Sequence, residues 1–356
     1  MHPLLERLGL KVPIIQAPMA GTSTVALAAA VSNTGALGSI AIGHIGVEAA
    51  ASDIALLRAA TNRAFNVNLF CHQPARRDAA VEAAWLRQLV PAFAAFDASP
   101  PTALQEIYPS FIDDDARLTL LLEARVPVVS FHFGLPSVDR IGALRQSGSV
   151  LLATATNLDE AWAAVEAGID AVVAQGYEAG GHRGVFDPSA PDPQLSTSVL
   201  VRQLSRALPI PVIAAGGIMD GAGVAGALTL GAVAAQMGTA FIACPEACAD
   251  PAHLDALLAS SRSWTVMTRA ISGRPARSLV NAFTGLGEQL HDPPAYPVAY
   301  DAGKALNAAA RSRGEFGYGA WWAGQGASMV REMPAARLIE TLSAELSTAL
   351  SSHGDG

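Results

Sequence analysis

Eight short apolar runs constrain this 356-residue chain more than any other feature. They lie near residues 14–17, 37–40, 65–68, 126–131, 149–153, 171–174, 212–215 and 234–237. Each ends in a glycine or polar turn and gives way to an alanine-rich stretch of helical character. Such alternation specifies parallel strands joined by crossover helices. The runs are nearly continuous in apolar residues, as strands covered on both faces are. Charged residues make up only 15% of the chain and apolar residues 51%, against the usual charged share of about a quarter. Helices are expected over 23–32, 47–60, 157–167, 199–207 and 221–230, and Asn157 followed by Glu160 is a capping signal for the third.

Eight such units predict a (β/α)8 TIM barrel. A doubly wound sheet is the alternative, but motifs with site character follow many different strands, as they do at the C-terminal face of a barrel. Two regions exceed the repeat, about 71–125 and 247–312. We expect both to be helical insertions capping the barrel mouth, with 1–246 and 313–350 forming the barrel. A last amphipathic helix is expected over 335–350, and a frayed tail after it.

The net charge is −8 and no Lys/Arg run occurs, which argues against a nucleic-acid partner. Three cysteines, Cys71, Cys244 and Cys248, suit a reducing compartment and complete neither a disulfide framework nor a zinc site. The N-terminus lacks the pattern of a signal peptide. Two uncharged stretches, 12–43 and 221–245, are interrupted by glycine and polar residues, so no membrane span is expected. A cytoplasmic protein, monomer or homodimer, is the expectation.

The chemistry gathers at the strand ends. The segment Ala174-Gln-Gly-Tyr-Glu-Ala-Gly-Gly-His-Arg-Gly184 leaves a buried strand, enters glycine and presents one imidazole, His182. Glycine there lets backbone approach a ligand, and histidine can take a proton or hold an anion. Met19, in Gln16-Ala-Pro-Met-Ala-Gly21, reads on its own as a core methionine. Asn68 ends the third strand with an amide that offers both donor and acceptor. His132 lies between two phenylalanines and reads as a packing residue at the barrel top. Glycine turns after the seventh strand (Gly216, Gly217) and the eighth (Gln236-Met-Gly-Thr239) resemble the phosphate cradle of barrels, with helix N-termini behind them. Tyr300 and Lys304 are spaced i, i+4 and share a face if helical. No G-x-S-x-G elbow, P-loop or H-E-x-x-H motif occurs.

These motifs resemble those of the nitronate monooxygenase family, formerly 2-nitropropane dioxygenases, of the bacterial class I type. The likeness runs from Val12-Pro-Ile-Ile-Gln-Ala-Pro-Met19 through Val129-Ser-Phe-His-Phe-Gly-Leu-Pro136, the His182 segment and Ser272-Gly-Arg-Pro-Ala-Arg277 to Trp321-Trp-Ala-Gly-Gln-Gly326. The resemblance implies an FMN-bound barrel that oxidises alkyl nitronates with O2 to a carbonyl compound and nitrite. It implies flavin contacts from Met19, Asn68, Gln175, Gly180, Gly217, Gln236, Gly238, Thr239 and Gln325. It gives His182 the role of base or anion-holder, and makes Tyr108, His132, Tyr296, Tyr300 and Lys304 the substrate pocket. Two other readings remain open at this point. One is an FMN-dependent NAD(P)H:quinone or enoyl-thioester reductase on the same barrel. The other is a phosphate-ligand sensor without turnover.

Overall fold

The computed structural model describes residues 2–259 and 264–352. Eight parallel strands run in chain order around a barrel: β1 (Ile14–Gln16), β2 (Gly38–Ala41), β3 (Phe65–Phe70), β4 (Val128–His132), β5 (Val150–Ala155), β6 (Ala171–Gln175), β7 (Val212–Ala215) and β8 (Ala234–Met237). β8 pairs with β1 in register Ile15 to Gln236. A parallel bridge from Ile15 to Leu37 joins β1 to the start of β2 and closes the ring. All eight strands lie within two residues of the expected runs, and the TIM barrel is confirmed. The signal was strong because each strand is buried on both faces.

The helices follow their caps. Asn157 accepts the Glu160 amide at 2.9 Å and starts Leu158–Glu166. The Glu160 carboxylate does not return to the cap. It accepts the Thr156 amide (2.7 Å) and the Phe186 amide (2.8 Å), tying the β5 and β6 loops together. Asp220 caps Gly221–Thr229 and Ser196 caps Thr197–Ala207, each satisfying amides that a helix start leaves open. The last helix runs Ala335–Ser351. Of the expected frayed tail, residues 353–356 lie outside the described residues.

A short helix the sequence reading did not assign, Pro3–Arg7, stoppers the barrel bottom. Its Leu4 and Leu5 pack with Val128, Val150, Leu152 and Val173. Five residues are too few to show a helical period, so only the proline at its first position signalled it. Above this apolar layer the barrel interior turns polar. Asn66 Nδ2 donates to Ser130 Oγ (2.9 Å) and Ser39 Oγ (3.2 Å), and the Asn68 amide meets Ser130 Oγ at 2.8 Å. The gradient from apolar base to polar top directs ligands to the C-terminal end.

The capping segments depart from the all-helical expectation. Between β3 and β4 the insertion contributes the helix Ala79–Ala94, while Asp115–Glu123 packs in the outer ring of barrel helices. After β8, the helices Pro251–Leu258, Ala282–Gly287 and Val298–Ser312 are interrupted by two strands, Thr265–Thr268 and Ala276–Leu279. These pair antiparallel, and the second also pairs with Gly181–His182. Short strands without alternation of apolar and polar residues leave little sequence trace.

Candidate active site

A cavity of about 420 Å³ opens at the C-terminal ends of the strands. It brings together Met19, Asn68, Tyr108, His132, Gln175, Gly180, His182, Gly217, Gln236, Gly238, Thr239, Tyr296 and Tyr300, which the sequence offers in eight separate stretches. Two expected residues are placed elsewhere. Lys304 is exposed on the helix Val298–Ser312, behind the cavity wall, with Nζ 5.1 Å from the Tyr108 ring centre and 5.5 Å from that of Tyr300. The i, i+4 face is real, but the ammonium sits against the two phenol rings and is not among the residues that line the cavity. Gln325 is exposed, and its neighbours Gly324 and Gly326 line the cavity instead.

His182 is positioned by pairing rather than by the barrel. Its two-residue strand docks on Ala276–Arg277. Gln175 at the end of β6 secures the same loop, donating to His182 O (3.0 Å) and accepting the Gly184 amide (2.7 Å). His132 Nε2 lies 3.3 Å from His182 O. A carbonyl only accepts, so this nitrogen carries the proton and Nδ1 accepts from Thr154 Oγ1 at 3.0 Å. Both ring nitrogens of His132 are thus committed to the protein, although the ring lines the cavity. His182 Nε2 meets Ser272 Oγ at 2.9 Å. With that hydroxyl donating to Arg274 O (3.2 Å), His182 Nε2–H donates to Ser272 and Nδ1 is left free to take a proton. Around the imidazole stand Trp322 (5.1 Å between ring centres), Tyr296 (5.3 Å), Phe133 (5.7 Å) and Tyr300 (6.0 Å).

The electrostatics of this end favour neutral bases beside positive charge. Burial, reinforced by the nearby Arg274 guanidinium, pushes the imidazoles of His132 and His182 down to about 3 and that of His72 to about 4. Burial lowers His253 to about 4 and raises the Tyr108 phenol to about 12; it also holds the Tyr296 and Tyr300 phenols protonated. His182 is therefore neutral at pH 7. A stability consequence follows. Above pH 6.5 these histidines are neutral both folded and unfolded. Below it only the unfolded chain binds protons, so stability falls toward the folded values of 3–4. The buried imidazoles of His72 and His253 each remove up to about 1.4 kcal/mol per pH unit across that window, and the half-buried ones of His132 and His182 remove less. Melting temperature should drop steeply between pH 6.5 and 5, and thermal melts at the two pH values check it; equal midpoints would contradict neutral burial.

The opposite end of the cavity is built from backbone. Gly216 and Gly217 after β7 adopt φ of +125° and +71°, open to glycine and strained for other residues. After β8, Gly238 leads into the short turn Thr239–Phe241, which has no side-chain cap. A Cβ at Gly238 would stand 3.5 Å from Ala17 Cβ and 3.6 Å from Met19 Sδ, so the ends of β1 and β8 form one wall. The expected helix N-terminus behind β7 is not free: Asp220 Oδ1 accepts the Gly223 amide (2.7 Å) and Glu345 Oε2 the Gly221 amide (2.9 Å). An anion here would be held by the turns, not by that helix.

Gly180 serves chain packing. A Cβ there would lie 2.5 Å from Gly324 N and 2.6 Å from Ala323 C. Gly324 N in turn donates to Thr239 Oγ1 (2.9 Å), and Gln325 N to Glu178 O (2.9 Å). Sequence reasoning singled out none of Ser272, Arg274, Phe133 or Trp322 for a role. Their motifs were visible, but nothing in an irregular Ser-Gly-Arg-Pro stretch says that it folds back on the His182 loop.

Comparison with known proteins agrees across the chain. The family model described as Nitronate monooxygenase matches residues 2–345. A nitronate monooxygenase of Paraburkholderia phytofirmans is 56% identical over 349 residues, 98% of this chain and 95% of the relative. Among solved structures, nitroalkane oxidase from Streptomyces ansochromogenes superposes with a TM-score of 0.89 at 42% identity over 99% of both chains. FabK from Thermotoga maritima follows at 0.76 and 30%, covering all of this chain and 99% of its own.

Proposed function

The chain belongs to the nitronate monooxygenase family, and from that membership we propose that it oxidises alkyl nitronates such as propionate 3-nitronate, using FMN and O2, to a carbonyl compound and nitrite. The observation that carries this reading is the charge of the imidazole end. Among the described lining residues the one carboxylate is Asp250, which pairs with Arg311. The imidazole end itself holds neutral imidazoles and phenols backed by a buried guanidinium. That is a place for a small anion, and a nitronate is one.

The residues fit FMN. The glycine turns at Gly217 and Gly238, with Thr239, are a cradle whose backbone amides suit a phosphate. Met19 walls the site next to Gly238, and Asn68, Gln175, Gly180 and Gln236 border it, with Gln325 beyond the rim. Bound there, FMN would supply the electron acceptor that the amino acids lack. The protein's own share is positioning. His182 Nδ1 is a neutral acceptor, and Tyr108, Tyr296 and Tyr300 remain protonated donors. Their rings with Trp322 exclude water, which strengthens each polar contact inside. A cytoplasmic setting belongs to the same proposal: all three cysteines are free, and among the described residues no helix is long and apolar enough to cross a membrane.

Purified protein should be yellow, release FMN on denaturation, and form nitrite from propionate 3-nitronate in air. Colourless protein that FMN cannot restore would end the proposal. The likeness to FabK favours one second reading, a flavin reductase fed by NAD(P)H. Anaerobic bleaching by propionate 3-nitronate but not by NADH supports the first; the reverse supports the second.

A further inference from the structure

We propose that Arg274 makes this site selective for anions, its guanidinium supplying the positive field at the imidazole end of the cavity without contacting the ligand. That the anion is a nitronate rests on the function proposed above; the selectivity for negative charge does not.

Arg274 is 2% exposed and, among the described residues, forms no ion pair. Its Nε donates to Arg183 O (3.4 Å) and its Nη2 to Val185 O, both neutral acceptors. The acidic groups that influence it are Glu160 and Asp187. Glu160 is committed to the amides of Thr156 and Phe186, and Asp187 is exposed and turned to Ser189. A buried guanidinium left with its charge uncompensated is costly unless something else gains from it.

What it faces is the site. The guanidinium carbon lies 4.1 Å from the centre of the Phe133 ring. That ring is also neighbour to His132 (4.4 Å), Tyr296 (5.3 Å), His182 (5.7 Å) and His72 (6.3 Å). Phe133 holds φ at +75°, a conformation that bulky residues seldom adopt. Such strain persists only where the surroundings fix it, and here it makes one apolar ring the shared neighbour of a cation and three imidazoles. Tyr296 and Arg269 also act on it, and Arg183, near His132, is paired with Asp192. Since these imidazoles are neutral, the guanidinium's field is not cancelled by a carboxylate at this end, and a ligand bearing negative charge gains what a neutral isostere cannot.

The test uses holo-protein and nitrate, a planar inert anion, with acetamide as a neutral control. Calorimetry should show nitrate binding weakened about tenfold or more in R274Q and within about threefold of the parent in R274K. Acetamide binding should not change in either. In R274Q the histidine ring resonances should titrate at higher pH, and KM for ethyl nitronate should rise more than kcat falls. A merely structural role predicts otherwise: R274K, which cannot stack on Phe133 as a planar fork does, would lose nitrate as R274Q does, with no change in imidazole titration. That pattern, or equal nitrate affinity in R274Q, overturns the proposal. If R274Q does not fold, R274K decides it, because retained nitrate affinity supports the charge role and lost affinity in folded protein refutes it. The function stands apart: nitrate binding that depends on residue 274, without nitronate turnover, would keep this inference and sink the other.

Discussion

Replacing His182 with asparagine should lower kcat on a nitronate by roughly 10²–10⁴-fold, the range expected when a positioned acid–base group is lost, while the protein stays folded. Asparagine is shorter than imidazole, so the contact that His182 Nε2 makes with Ser272 Oγ at 2.9 Å is given up with the ring. The docking of the loop uses backbone atoms of residue 182: its carbonyl accepts from Gln175 at 3.0 Å and lies 3.3 Å from His132 Nε2. Those contacts survive the change, and what disappears is the basic nitrogen. Steady-state nitrite formation, with circular dichroism to confirm the fold, checks the outcome. Turnover within a few-fold of the parent would remove His182 from the chemistry and shift attention to the phenols of Tyr296 and Tyr300. Turnover absent from the parent as well would favour a phosphate-ligand sensor.

Gly180→Val should lose the cofactor rather than the substrate. Its Cβ would enter backbone, at 2.5 Å from Gly324 N and 2.9 Å from Ala323 Cα, and backbone yields less readily than a side-chain tip. The chain 323–326 would have to withdraw, breaking Gly324 N to Thr239 Oγ1 and Gln325 N to Glu178 O. Overpacking of this kind costs about 1–3 kcal/mol. Because it is released at Thr239, we expect FMN affinity to fall at least about tenfold. Gly226→Ala is the control: it lies inside Gly221–Thr229 with nothing within 4 Å of the added carbon, and should stabilise by about 0.5–1 kcal/mol. Equal FMN affinity in the parent and in Gly180→Val would mean that Thr239 does not hold the phosphate.

The barrel was legible because its signals are local. Strands buried on both faces leave unbroken apolar runs such as 171–174, and caps such as Asn157 sit beside the amides they satisfy. Candidate residues at strand ends were legible for the same reason: Asn68, Gln175 and Gln236 each end a run that could be seen. What the sequence did not disclose depends on distant partners. Gly181–His182 becomes a strand only because Ala276–Arg277 comes to lie beside it. Arg274 matters because Phe133, in a different crossover, takes a left-handed backbone. Pro3–Arg7 is stabilised by the barrel floor it covers rather than by a helical pattern of its own. Lys304 shows the converse limit. Its spacing from Tyr300 was right, yet spacing fixes a helix face and not whether the side chain lines the cavity.

The pairing that carries His182 also sets an order of events. The eight strands are complete by Met237, but the imidazole has nothing to dock on until Ser272 and the strand Ala276–Leu279 arrive, 90 residues after it in the chain. The helix Ala335–Ser351, which packs on Val25–Thr34 and Gly221–Thr229, closes the barrel wall later still, so the barrel is not finished before the site in synthesis, but the two are separable on heating. A two-residue strand with few ladder bonds opens at a lower free energy than a closed barrel. Warmed protein should thus fall silent as a catalyst while its barrel remains intact, and recover on cooling without having to refold.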